Sequence, residues 1–397
     1  MNKTGTSITG EEESRKMHDD QPIAGTLDPH AGREHYLNFA SYGPPLPAVV
    51  DTVRNLWERA ARGGPTASAS LHAEDDRARV AVSRLTGGAP DRVALTGSTS
   101  QGLLQLAFGV RGEVLLSLDE FPANIEPWRR AEQAGRLRLR ALPGSGGGGG
   151  LDAGTRVTPQ RVADALSPAI TAVSVSAVDF RTGYRADLAG IRRAIGPDRL
   201  LIVDAIQGFG MIESDWSAAD AVAVGGQKWL RAGWGTGFVQ YSELGMTLIE
   251  PALAGWTGVE NPALYDGRPH RAVADAGRYS VTSASPFASG ALATAAEQAA
   301  AGLATVERTL AVRVDALIAV IDAAGLPLLS PRDPRERAGI VVAGFPAGDA
   351  AAVHARLTAS GITATLHGEH RIRFSPHVTT PPEAAAAAVA AVLRDAG

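Results

Sequence analysis

Residues 200–238 read LLIVDAIQGFGMIESDWSAADAVAVGGQKWLRAGWGTGF, and the fold is decided here. The chain has 38 Lys+Arg, but only three are lysine: Lys3, Lys16 and Lys228. The first two fall in a polar N-terminal stretch, so the rest of the chain carries one lysine, in this segment. Arginine stays protonated at all working pH values, whereas a desolvated lysine can lose its proton and act as a nucleophilic amine. A sequence that otherwise prefers arginine therefore marks Lys228 as a candidate for imine chemistry, against the plainer reading of a surface lysine.

Working outward, LLIVDA is a short β-branched and apolar run that ends in Asp204, the pattern of a buried parallel strand. AVAVGG repeats the pattern, with Lys228 just past its end. In open α/β sheets ligands bind at the carboxyl ends of such strands. An acid and an amine placed there are what pyridoxal phosphate requires. The amine holds the aldehyde as a Schiff base, and the acid keeps the ring nitrogen protonated.

The set D-A-I-Q-G-F-G, G-G-Q-K-W-L and G-W-G-T-G-F resembles the class V aminotransferase family, and the likeness extends more loosely from about residue 36 over most of the chain. The resemblance implies an α/β fold of the fold-type I pyridoxal-phosphate transferases. A mixed, mostly parallel seven-stranded sheet would form a large domain, residues 31–285, after a tail at 1–30. A small α+β domain would occupy 286–397. It also implies that Asp204 pairs with the pyridinium, Gln207 bonds the phenolic oxygen, and Lys228 carries the pyridoxal 5'-phosphate. Gln227 stands where relatives often have His or Tyr. The family implies a homodimer.

Composition narrows the alternatives. With 397 residues, 45% hydrophobic and 20% charged, the chain suits a globular enzyme of two domains. A net charge of −4 gives no basic footprint for nucleic acid or an anionic membrane. There is no cysteine, which excludes disulfides, thiolate metal sites and a cysteine nucleophile. The histidines show no metal-ligand spacing, so no metal is expected. No run approaches a membrane span, and residues 1–25 lack a signal-peptide apolar core. A cytoplasmic location is expected.

In chain order, HYLNFASYGPP predicts a short strand and a turn, with Ala40 and Ser41 toward the substrate. Two helical patterns occupy 47–86. VAL then runs into Gly97, Ser98, Thr99 and Ser100 before a helix, either a plain cap or an anion site. The family resemblance makes Ser98, Thr99 and Ser100 the phosphate cradle. VLLSL is a buried strand whose end carries Glu120 and Phe121. In relatives an aromatic ring here stacks on the pyridine face, and a phenyl ring cannot shuttle a proton. RLRLRAL alternates as a strand with one exposed face. PGSGGGGGLDAG lacks the phosphate-loop pattern and reads as a surface loop.

The D-F-R-T-G loop resembles a kynureninase segment. Asp179 or Arg181 faces substrate there, or the two form a structural ion pair. Trp256 falls where kynureninase-like relatives have a Gly-Trp near the phosphate. Thr282, Ser283 and Ser285 are candidates for a group reaching across a dimer. One helix is expected over 286–325. HRIRFSPHVTT resembles the family ending whose arginine grips the substrate α-carboxylate, and register with S-P-H selects Arg373 rather than Arg371. The reaction stays open between two readings. One is a lyase that cleaves the side chain of an α-amino acid at a C–S or C–C bond; the other is an aminotransferase using a keto acid.

Overall fold

The computed structural model describes residues 35–147, 151 and 154–394. The expected tail at 1–30 and glycines 148–150 of the glycine-run loop lie outside the described residues. Seven strands form one sheet: β1 Val93–Leu95, β2 Gly112–Leu116, β3 Leu137–Ala141, β4 Ile170–Ser176, β5 Leu200–Asp204, β6 Ala221–Gly225 and β7 Gly237–Tyr241. Their order is β1-β7-β6-β5-β4-β2-β3. β7 runs antiparallel to both of its neighbours, and every other pairing is parallel. The mixed, mostly parallel sheet implied by the family resemblance is the one observed.

The central strands are apolar on both faces because both faces are covered. Val173, Val175, Leu201, Val203, Val222 and Val224 face one core. The alternate residues Ala172, Leu200, Ile202, Ala221 and Ala223 face a second, where Leu103, Leu106 and Trp128 pack. The alternating RLRLRAL segment supplies β3 at the sheet edge. Arg138 and Arg140 stand out from it and pair with Glu113 at 3.6 and 3.2 Å, putting charge where an open edge invites unwanted pairing.

A second sheet holds β8 Val341–Gly344, β9 Thr365–His367 and β10 Arg371–Phe374, in the antiparallel order β8-β10-β9. The first core runs on into it through Val341, Ile372 and Phe374. The strand expected in HYLNF is reduced to two bridges, Tyr36 to Thr363 and Asn38 to Ser375. Those partners lie more than 300 residues away, so local pattern does not reveal them. The bridges carry Ala40 and Ser41 to the junction of the two sheets.

The single helix expected over 286–325 is two, Pro286–Ala300 and Leu303–Ala323, broken at Gly302. Apolar periodicity runs across the break because both halves are rich in Ala, Leu and Val. Among the described residues no helix is long and apolar enough to cross a membrane.

Candidate active site

Parallel strands deliver their following loops to one edge of the sheet. Ser98 follows β1, Phe121 follows β2, Phe180 follows β4, Asp204 ends β5 and Lys228 follows β6. These residues line one cavity of about 380 Å³, which Arg373 closes from the second sheet and Ser41 from the segment beside it. The position is the one expected for ligands of open α/β sheets.

Asp204 and Lys228 share this enclosed space. Asp204 is 3% exposed and its Oδ1 accepts the Ile206 N–H at 3.1 Å. Burial pushes its carboxyl up to about 6, against the Ile206 bond and the Lys228 charge. Burial brings the Lys228 amine down to about 8; Asp204 opposes that shift and Arg373 adds to it. Lys228 Nζ lies 5.4 Å from the centre of the Phe121 ring. A mobile proton, a buried acid and an aromatic wall therefore meet in one place.

The loop after β1 has unfilled hydrogen-bonding capacity. Ser98 caps the helix Thr99–Gly109, its Oγ accepting the Gln101 N–H at 3.1 Å. Thr99 Oγ1 is buried with no partner among the described residues. Across from it, a Cβ on Gly225 would come within 2.5 Å of Gln227 Oε1 and 2.9 Å of Thr99 Oγ1. Glycine keeps this cradle open, with first-turn N–H groups beside it. These donors suit a phosphate.

Gln207 is buried, and its amide is oriented from both ends. Oε1 accepts the Trp229 indole N–H at 2.8 Å, and Nε2 donates to the Ala40 carbonyl at 2.9 Å. One N–H of Nε2 is left to donate, and Gln207 lines the cavity. Arg373 is 4% exposed. Its Nη1 donates to the Phe180 carbonyl at 3.0 Å and its Nη2 to Ser41 Oγ at 2.7 Å. Nε has no partner among the described residues, and burial brings the guanidinium down to about 10. A buried cation with a free donor suits a carboxylate.

Several expected residues fall elsewhere. Arg371, passed over for Arg373, does not line the cavity. Arg181 is paired with Asp119 at 3.3 Å and Asp179 at 3.5 Å, the structural alternative for that loop. Trp256 is 57% exposed, in a turn apart from the cavity. Thr282, Ser283 and Ser285 line a smaller cavity of about 210 Å³ with Gly97 and Gln101, and Ser285 caps the helix Pro286–Ala300.

Sequence reading missed Phe180, Trp234, Thr365 and His367, all of which line the Lys228 cavity. For the last two a signal exists: in T-A-T-L-H they alternate onto one strand face. It becomes readable only once β9 is known to pair with β10.

Lys228, Asp204 and the Ser98–Ser100 loop, the residues expected to take a pyridoxal cofactor, thus meet at the strand ends of one sheet. The chain belongs to the class V aminotransferase family: the model of that family, aminotransferase class-V, matches residues 35–381. Its cofactor is pyridoxal 5'-phosphate.

Among solved structures, an apo cysteine desulfurase from Thermococcus onnurineus is similar at a TM-score of 0.79 and 19% identity, over 90% of this chain and 94% of that one. The cystine C-S lyase C-DES, in complex with its product cysteine persulfide, is similar at a TM-score of 0.78 and 20% identity, over 91% and 97%. A NifS-like protein gives a TM-score of 0.73 at 13% identity, over 91% and 99%. No curated protein sequence matches the chain significantly.

Proposed function

We propose that this enzyme cleaves the side chain of an α-amino acid at Cβ, breaking a C–S or C–C bond, rather than passing the amino group to a keto acid. The observation that carries the reading is Arg373, the one arginine among the described residues of the cavity. One guanidinium holds one carboxylate. An aminotransferase serving a dicarboxylic keto acid would need a second cation at the far end of its site, so the single arginine leaves that alternative only monocarboxylic keto acids. The similarity to a C-S lyase and a cysteine desulfurase supports a lyase. With no cysteine in the chain, sulfur relay through a protein thiol is closed to it.

Placement supports a role for each residue. Pyridoxal phosphate, when bound, supplies an imine for the substrate amine and a ring that takes up electrons from Cα. Lys228 would hold it, and its amine is the base placed to take the Cα proton. Asp204 keeps the ring nitrogen protonated, and Gln207 donates its remaining N–H to the phenolic oxygen. Ser98, Thr99, Ser100 and Gln227 hold the phosphate. Phe121 covers a ring face but has no proton to give, which leaves the proton work at Cα to Lys228. Arg373 and Ser41 orient the carboxylate and so select the Cα bond that breaks.

A homodimer belongs to the same proposal. Exposed Trp256 and the Thr282–Ser285 segment would lie at its interface, and light scattering should give twice the chain mass.

The test of the reaction uses loaded enzyme and an amino acid with a good Cβ leaving group, without keto acid. Repeated turnover with release of ammonia and a keto acid is expected. A single turnover that stops, and that a keto acid restarts with ping-pong kinetics, would make the protein an aminotransferase.

A further inference from the structure

We infer that His367 reads the substrate side chain, and that the substrate is an α-amino acid with an uncharged side chain bearing a hydrogen-bonding group near its γ or δ atom. The inference rests on the amino-acid reading above and extends it to a substrate class.

Placement comes first. Thr365 and His367 lie two apart on β9, so their side chains share a face. Thr365 is paired with Arg373 on β10, and its Oγ1 accepts from Arg373 Nη2 at 3.3 Å. Two residues along a strand span roughly 7 Å. The imidazole therefore stands about one side-chain length beyond the carboxylate anchor, where an anchored amino acid would present its γ and δ atoms.

The walls between are aromatic. The Phe180 ring is 5.9 Å from the His367 ring and 5.1 Å, edge-on, from Phe121. Phe121 in turn faces Lys228. Trp234 lines the cavity as well, stacked on Tyr42 at 5.9 Å.

Charge decides the rest. Lys228 and Asp204 are committed to the cofactor and Arg373 to the carboxylate. Among the described lining residues only His367 remains ionisable. Burial, then Arg373, Arg371 and Arg181, bring its imidazole down to about 4, so it is neutral at pH 7. Arg181 is engaged by Asp119 and Asp179, and Arg371 likewise has its own partner. A cationic side chain entering here would lose its water and meet the field of these guanidinium groups, and an anionic one would lose its water to groups already engaged elsewhere. Neutral imidazole offers one donor and one acceptor, and its nitrogens hydrogen-bond to none of the described residues. An uncharged polar group satisfies it.

The experiment titrates the cofactor-loaded protein with three amino acids of one shape: asparagine, aspartate and leucine. Binding is read from the change in the cofactor absorption band. Asparagine is expected to bind about tenfold tighter than leucine and on the order of a hundredfold tighter than aspartate. His367→Phe should abolish the preference for asparagine over leucine while leucine binding stays within about twofold, the scale of a lost hydrogen bond being larger than that. His367→Gln, which keeps a neutral donor and acceptor, should retain part of the preference and shows that the position tolerates change. Aspartate binding as tightly as asparagine, or a preference that survives His367→Phe, overturns the inference. If none of the three perturbs the band of loaded protein, the amino-acid reading beneath it falls instead, and the inference with it.

Discussion

The indole N–H of Trp229 donates to Oε1 of Gln207 at 2.8 Å, and that bond decides which way the Gln207 amide faces. With Oε1 engaged, Nε2 must point toward the Ala40 carbonyl and the cavity. Trp229 follows Lys228 directly, so one turn of chain sets both the amine and the amide. Gln207→Leu should weaken cofactor binding about tenfold, the scale of one lost hydrogen bond to a charged oxygen. Trp229→Phe should weaken it less, because the amide is then free to turn. Equilibrium dialysis of the cofactor measures both. Unchanged affinity in the two variants would remove Gln207 from the cofactor contact.

Cofactor uptake should follow the protonation of Lys228. Only the neutral amine attacks an aldehyde. Burial holds this amine at about 8, so uptake by the cofactor-free protein should rise about tenfold per pH unit below that value and level off above it. Rapid mixing with pyridoxal phosphate between pH 6 and 9 gives the profile. A rate still climbing steeply at pH 9 would mean an ordinary, solvated lysine. Borohydride should fix the cofactor to Lys228, and Lys228→Arg, which keeps the charge, should form no imine and retain none after reduction and denaturation.

Glu120 offers a stability test with a definite sign. Its carboxyl is enclosed against Ser176, whose N–H it accepts at 3.0 Å and whose hydroxyl it also binds. Burial first, and Asp179 and Asp204 further, push it up to about 7, while the Ser176 bonds pull the other way. The folded state thus keeps a proton that the unfolded chain loses above about 4.5. Stability contributed by the protonated form is present below the unfolded value and is lost as pH rises through about 7. Glu120→Gln carries no ionisable proton and should be more stable than the parent at pH 8, by on the order of 2 kcal/mol, with the difference vanishing near pH 4. Denaturant melts at the two pH values decide it; an equal difference at both would contradict the titration.

What sequence made legible was local. β5 and β6 are apolar runs ended by an acid and a glycine pair, so Asp204 and Lys228 could be placed at strand ends without coordinates. Arg373 was reachable through its register with S-P-H. Contacts that close the site from a distance were not legible. Phe180 enters because its carbonyl accepts from Arg373, 193 residues away. His367 enters through the pairing of β9 with β10. Tyr36 and Asn38 find their partners across the whole chain. Such pairings leave no periodic trace, because each depends on how two sheets meet. The break at Gly302 was hidden for the opposite reason, since the same apolar residues continue on both sides.

Arg373 gives the sharpest test of substrate placement. Its guanidinium is held by the Phe180 carbonyl, Ser41 Oγ and Thr365 Oγ1, which leaves the Nε N–H and one Nη1 N–H to donate. Arg373→Lys keeps the positive charge but replaces a planar fork with a compact ammonium. It cannot hold those three oxygens and face a carboxylate in two places at once. Binding of the α-carboxylate should weaken, and kcat/KM should fall about a hundredfold, the scale expected when a buried charged hydrogen bond is lost. The division between constants carries the information. If Arg373 binds ground state and transition state alike, KM rises and kcat holds. If it also aligns the bond that breaks, kcat falls as well, and products of a competing cleavage at Cα appear. Steady-state kinetics with product analysis separates the two. A variant with parental KM and kcat would place the carboxylate elsewhere and free Arg373 for a purely structural role between the two sheets.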